Sequence, residues 1–192
     1  MGHLNRPGPR EGAAARGPSA SVAPVFAEQA GLPVVPGPDW PGVRCFCTTR
    51  AGGAGSAPYD TLNLGMKAGD DPATVDENRR RLRAAVPSDP FWLAQVHGSR
   101  VLDADAPGDD RQADASVTAT PGTVLAILTA DCLPVVITDA DARVLGAAHA
   151  GWRGLAGGVL ENTLRALRDR HPRARGWRAW IAPGIGPAAF EV

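Results

Sequence analysis

Asp131-Cys132-Leu133-Pro134-Val135-Val136-Ile137-Thr138-Asp139-Ala140-Asp141-Ala142-Arg143-Val144-Leu145-Gly146-Ala147-Ala148-His149-Ala150 reads as two apolar strands around a polar turn. The first strand runs through residues 133–137 and the second through 143–148, with 138–142 between them. A turn centred on Ala140-Asp141 sets 139 against 142 and 138 against 143. The same ladder carried outward sets Cys132 directly across from His149. Cross-strand partners hold their Cβ atoms about 5 Å apart on one face of a sheet. A thiol and an imidazole so placed could share a metal ion or a proton. Register decides the matter, because a slip of one residue turns one of the two to the other face.

Outward from this hairpin, Gly151-Trp152-Arg153-Gly154 leads into a helix to about residue 170. Leu155, Val159, Leu160, Thr163, Leu164 and Leu167 form its apolar stripe. Residues 177–181 read as a last strand, followed by the rigid loop 182–187. On the other side, residues 124–129 form an apolar run of the kind expected for a strand buried on both faces. Residues 114–118 and 99–103 read as short extended pieces, and 91–96 as a strand that ends at His97-Gly98. Asp71-Pro72 opens a helix with Asp71 as N-cap and Pro72 at the first helical position. Val75, Asn78, Leu82 and Val86 trace its inner face, and Pro87 stops it. Residues 51–60, mostly small, form a loop long enough to suggest binding or motion. A strand over 43–49 precedes that loop. Residues 1–24, rich in Gly, Pro, Ala and Arg, read as a disordered tail, leaving 25–192 as a single domain.

Composition narrows the function. With 20 basic and 20 acidic residues the formal net charge is zero, which argues against nucleic-acid and membrane-surface partners. No apolar run approaches the roughly 20 residues of a membrane span, and no secretory signal core is present. The cysteine count of three is odd, and Cys45 and Cys47, separated by one residue, do not form a CxxC pair. A reducing, cytoplasmic setting follows.

His97, Cys132 and His149 together offer two imidazoles and one thiolate. Catalytic zinc commonly takes three such protein ligands and keeps one position open. The start of the helix after Gly151 would favour a thiolate or a bound anion. Arg153 in that turn, and Arg50 at the lip of the small-residue loop, could grip phosphate with a planar guanidinium. Asp131 could orient an imidazole from behind, and Trp152 could stack on a planar substrate. The blander readings stand beside these: a lone cysteine in an apolar strand is usually core, and exposed arginines are ordinary surface charges. His3 lies in the tail and His171 near a helix C-terminus, and neither receives a role.

Seven blocks occur in order: Thr48-Thr49-Arg50-x-Gly52-Gly53, Tyr59-Asp60-x-Leu62-Asn63-Leu64-Gly65, Asp70-Asp71-Pro72, Glu77-Asn78-Arg79, Gln95-Val96-His97-Gly98, Thr129-Ala130-Asp131-Cys132-x-Pro134 and His149-Ala150-Gly151-Trp152-Arg153-Gly154. Together they resemble the YfiH-type family, once called multicopper polyphenol oxidases or laccase-domain proteins. The resemblance covers about residues 43–192. It implies an α/β fold with packed mixed β-sheets and outer helices. It also implies zinc bound by His97, Cys132 and His149, with Arg50 a phosphate or substrate contact. Family members are purine nucleoside phosphorylases, with adenosine deaminase and methylthioadenosine phosphorylase activities. Two departures stand out. Ala188-Ala189 occupy a loop that often carries a cysteine, and the family's further strand-helix segment after Phe190-Glu191-Val192 is missing, so a C-terminally truncated catalytic domain is expected.

The expected function is therefore a zinc-dependent purine nucleoside phosphorylase acting on inosine, guanosine or adenosine with inorganic phosphate. Three other readings remain: a metal-free hydrolase with Cys132 as nucleophile and His149 as base, a copper-dependent polyphenol oxidase, and an inactive binding module. Copper is the lesser expectation, since a multicopper oxidase needs many more histidines than the four present.

Overall fold

The computed structural model of the chain describes residues 26–191; the expected tail over 1–24 lies outside them. The elements in chain order are β1 (Ala27–Gln29), β2 (Leu32–Pro36), β3 (Phe46–Thr48), α1 (Pro72–Ala84), β4 (Pro90–Phe91), β5 (Val101–Asp103), β6 (Ala115–Thr118), β7 (Val124–Leu125), β8 (Leu133–Asp139), β9 (Leu145–Ala150), α2 (Trp152–Ala156), α3 (Val159–Arg170) and β10 (Trp177–Ile181). The architecture is mixed α/β. A five-stranded sheet has the order β10-β8-β9-β6-β5, a three-stranded sheet the order β1-β2-β3, and β4 pairs with β7. Pairing is antiparallel except for β5 with β6 and β4 with β7.

The β8–β9 hairpin forms as expected, but with a different register. Leu133 pairs with Ala150, Pro134 with His149 and Thr138 with Leu145. The ladder carried outward sets Cys132 against Gly151, not His149. The cause lies in the turn. The Asp139 carboxylate accepts hydrogen bonds from the backbone N–H of Arg143 (2.7 Å), Val144 (3.0 Å) and Asp141 (3.1 Å). Ala142 takes the left-handed region at φ 55°, and its N–H bonds Asp139 O at 3.2 Å. The turn is thereby centred one residue later than its composition suggests, which moves the register by two. Because side chains alternate with period two, Cys132 and His149 return to the same face, now as diagonal neighbours.

The opposite face of that hairpin carries the core. Val135 and Ile137 of β8, Ala148 and Ala150 of β9, and Ala115 and Val117 of β6 meet Val159 and Leu167 of α3. Each fully buried Val, Ile or Leu side chain contributes about 1.5–3 kcal/mol. Gly146 lets the helix come close, since a Cβ there would lie 2.9 Å from Thr163 Cγ2 and 3.1 Å from Leu167 Cδ1. A second cluster, Leu32, Val34, Leu62, Leu82 and Ala85, joins the three-stranded sheet to α1. Asp71 caps α1, its carboxylate accepting from Ala73 N at 3.3 Å and Thr74 Oγ1 at 3.0 Å, and Val75, Asn78 and Leu82 are its buried residues.

Three further expectations need correction. The strand expected over 91–96 pairs only at Pro90–Phe91, with an isolated bridge at Ala94. The run over 124–129 is not a strand buried on both faces: only Val124–Leu125 pair, and its residues are half-buried. The Gln95 side chain satisfies the backbone there instead, accepting from Leu128 N at 2.8 Å and donating to Leu128 O at 2.7 Å. The helix expected from Gly151 to about residue 170 is two helices. Gly157-Gly158 break it, with Gly158 at φ 81°, and Leu155 is left exposed.

Candidate metal centre

The two strands and the turn after residue 96 bring three side chains together. The ligand atoms of His97, Cys132 and His149 lie within 4.8 Å of one another. His149 projects from β9 and is buried, Cys132 just precedes β8 and is half-buried, and His97 is exposed. The two imidazole rings meet edge to face, with centroids 4.8 Å apart. Gly151 makes the space. A Cβ at that position would stand 2.9 Å from Cys132 Sγ and 3.4 Å from His97 Cδ2. Gly154 closes in behind, where a Cβ would meet Gly98 O at 2.9 Å and His149 O at 3.4 Å.

The partner of His149 is Asp114, a residue absent from the sequence-based set. Its Oδ1 lies 2.8 Å from His149 Nδ1, and both side chains are buried. The same carboxylate accepts from the backbone N–H of Val96, His97 and Gly98. Burial pushes its pKa up, but the bonds from His149 and those three N–H groups outweigh burial and hold it below the ordinary value. One signal in the sequence pointed to it: an acidic residue at the head of the apolar piece 114–118 must be paired if it is buried.

Asp131, expected to orient an imidazole, does not do so. It is exposed, its carboxylate makes no hydrogen bond among the described residues, and its carbonyl accepts from Ile185 N at 2.8 Å. Its charge still reaches the thiol. Burial raises the Cys132 pKa, and Asp131 and Asp114 add to the rise. Arg153 is exposed at the start of α2, with its guanidinium carbon 4.5 Å from the centroid of the Trp152 ring. Arg50 is ion-paired with Asp60 across the small-residue loop, and no described contact ties it to the three donors. The five-residue α2 carries far less dipole than the long helix expected after Gly151.

The donor set suits a single zinc or copper ion: two imidazole nitrogens and one sulfur, with a glycine where a fourth side chain would otherwise intrude. It does not suit a cluster of coppers.

The profile of the family described as multi-copper polyphenol oxidoreductase laccase matches residues 44–192. The chain belongs to this YfiH-type family. Among YfiH-type relatives, Escherichia coli (strain K12) purine nucleoside phosphorylase YfiH is 50% identical over 161 residues, covering 81% of this chain and 65% of that protein. The chain thus spans 65% of the length of that relative. A Neisseria meningitidis protein of known crystal structure superposes with a TM-score of 0.73 at 40% identity, covering 83% of this chain and 66% of the other. YlmD from Geobacillus stearothermophilus superposes with a TM-score of 0.75 at 31% identity, covering 88% and 68%. No helix among the described residues is long and apolar enough to cross a membrane.

Proposed function

We propose that the chain forms the zinc-holding part of a cytoplasmic purine nucleoside phosphorylase, with residues 25–192 acting as one catalytic unit. The observation that carries this is the approach of His97, Cys132 and His149 to within 4.8 Å, in a chain whose relatives bear the name purine nucleoside phosphorylase. In the reaction, a phosphate oxygen bonds to C1′ of the ribose as the C1′–N9 bond breaks. The bonding pair leaves with the purine, which takes up a proton, and the products are free base and ribose 1-phosphate.

His97, Cys132 and His149 would hold the zinc, which supplies electrophilic polarisation at that point. Gly151 keeps the space beside the thiol free for a reactant. Arg153, exposed at the start of α2, would neutralise phosphate with its planar fork, and Trp152 would offer a flat apolar surface beside it. Arg50 would serve as a second phosphate contact once released from Asp60. Adenosine deamination and methylthioadenosine phosphorolysis belong to the same reading as further activities.

Zinc-loaded protein given inosine and phosphate should release hypoxanthine and ribose 1-phosphate in equal amounts. Base release that does not depend on phosphate, or no release, overturns the phosphorylase. Parallel incubations with adenosine and methylthioadenosine, followed for inosine and adenine, test the two further activities.

One observation favours a second reading. Asp114, His149 and Cys132 line up as acid, base and thiol, an order a metal-free cysteine hydrolase would use. Against it, burial and the two nearby carboxylates raise the Cys132 pKa, whereas a nucleophilic thiol needs a lowered one. Stoichiometric zinc in the purified protein decides for the metal.

A further inference from the structure

We propose that Asp114 is the positioning residue of this centre, a single carboxylate that sets the orientation of both His97 and His149. The proposal rests on reading the three donors as a metal site. Four donors converge on its two oxygens. Oδ1 accepts from the backbone N–H of His97 and from His149 Nδ1, each at 2.8 Å. Oδ2 accepts from the backbone N–H of Gly98 at 2.7 Å and of Val96 at 3.1 Å. A carboxylate has about four acceptor positions, and here all four are filled in a residue with no exposed surface.

The cross-strand ladder explains how it comes to lie there. β6 and β9 pair with Ala115 opposite Ala148, so the next position outward sets Asp114 opposite His149. The backbone confirms the step, with His149 N donating to Asp114 O at 2.7 Å. The acid and the imidazole therefore leave the sheet side by side on one face.

Two consequences for the ligands follow. An ionised carboxylate only accepts, so the bond at Nδ1 places the imidazole hydrogen there and leaves the Nε2 lone pair free, which is the ligating form. The second consequence concerns His97. Its φ of 60° lies in the left-handed region, which non-glycine residues seldom adopt. Three successive N–H groups, from Val96 to Gly98, curl around the carboxylate as a small anion nest. The bound charge of Asp114 offsets the strain of that turn and fixes where the His97 ring begins. One buried side chain thus presents two of the three donors, from segments far apart in sequence.

Asp114→Asn is the informative variant. Its amide nitrogen must face either the N–H pair of Val96 and Gly98 or the Nδ1–H of His149, so one of the two imidazoles loses its support. Nitrogen-15 NMR of the metal-free full chain, with the His149 signal identified by its loss in His149→Asn, should show the Nδ1–H tautomer in the wild type and a mixture in Asp114→Asn. Zinc affinity, measured by competition with a chromophoric chelator, should fall 10–100-fold in the variant. A purely structural role would lower the melting temperature and leave both readouts unchanged. The proposal is overturned if wild-type His149 is found in the Nε2–H form, or if folded Asp114→Asn binds zinc within twofold of wild type. Should the variant not fold, the wild-type tautomer still decides. Should the wild type bind no zinc yet hold the Nδ1–H form that the variant loses, the positioning role stands and the metal reading falls.

Discussion

Two irregular stretches of this molecule are each organised by one fully buried polar side chain, and they end differently. In the small-residue loop, Asn78 of α1 accepts from Ala54 N at 2.8 Å and donates to Thr61 O at 3.0 Å and Asn63 O at 2.9 Å. Gly53 lets the loop close over it, since a Cβ there would stand 1.8 Å from Thr61 O. Every group Asn78 touches is internal, and the hydrogen bonding closes on itself. At the other stretch Asp114 is equally saturated, but the segments it holds end in His97 and His149, each of which offers a ligand atom within 4.8 Å of the other and of Cys132. The first arrangement maintains shape. The second leaves ligating atoms unspent, and that residue of unused chemistry marks a site.

The difference can be broken from the metal side first. Cys132→Ala removes the only sulfur donor and leaves the Asp114 network untouched. The variant should lose stoichiometric zinc, read by metal analysis after gel filtration, together with any base release. Its metal-free melting temperature should match that of the metal-free wild type. Zinc retained at one equivalent would take Cys132 out of the ligand set. The loop side should respond in the opposite sense. Asn78→Ala deletes three hydrogen bonds in a residue with no exposed surface, at about 1 kcal/mol each. A loss of about 3 kcal/mol and a fall in melting temperature of roughly 6–12 °C are expected, with zinc affinity in the folded fraction unchanged. A loss of zinc affinity in Asn78→Ala would mean that the two stretches are one cooperative unit. Gly151→Ala is the milder probe of the centre. The added methyl presses on Cys132 Sγ at 2.9 Å, so zinc affinity should weaken about tenfold, equivalent to about 1.4 kcal/mol, while the metal-free melting temperature moves little.

These responses also show which parts were legible in the sequence. Helix α1 was, because Asp71-Pro72 announces its start and Val75, Asn78 and Leu82 keep the 3.6-residue period. The face shared by Cys132 and His149 was legible too, because alternation survives any even shift of register. The register itself was not, since it depends on where the Asp139 carboxylate gathers N–H groups, and composition does not reveal that. The run 124–129 misled for a related reason. Apolar residues in sequence suggest a central strand, but a distant side chain, Gln95, already satisfies its backbone. Gly157-Gly158 break the helix, but the apolar stripe continues on either side of them and so suggests a single one. The role of Asp114 is not legible in sequence because it lies in the β6–β9 pairing, which sets it beside His149, 35 residues away. Asp131 is next to Cys132 in sequence, and that adjacency alone suggests a role for it.

The smallest expected effect concerns the turn that sets the register. The pKa of Asp139 is pushed up by burial, but the N–H groups of Val144, Arg143 and Asp141 and the nearby His171 outweigh burial and hold it below the ordinary value of 3.8. A depressed carboxylate contributes stability that is fully present above the unfolded-state pKa and is lost as pH falls through the folded value. Asp139→Asn keeps one oxygen and gives up the other, so it should cost about 1 kcal/mol near neutral pH, or roughly 2–4 °C in melting temperature. The variant no longer titrates there. Its deficit relative to wild type should therefore shrink as the pH is taken below 3.8, and thermal melts across that range will show it. A deficit that stays constant with pH would mean that the turn is held by shape rather than by charge. The two-residue offset between Cys132 and His149 would then need another cause.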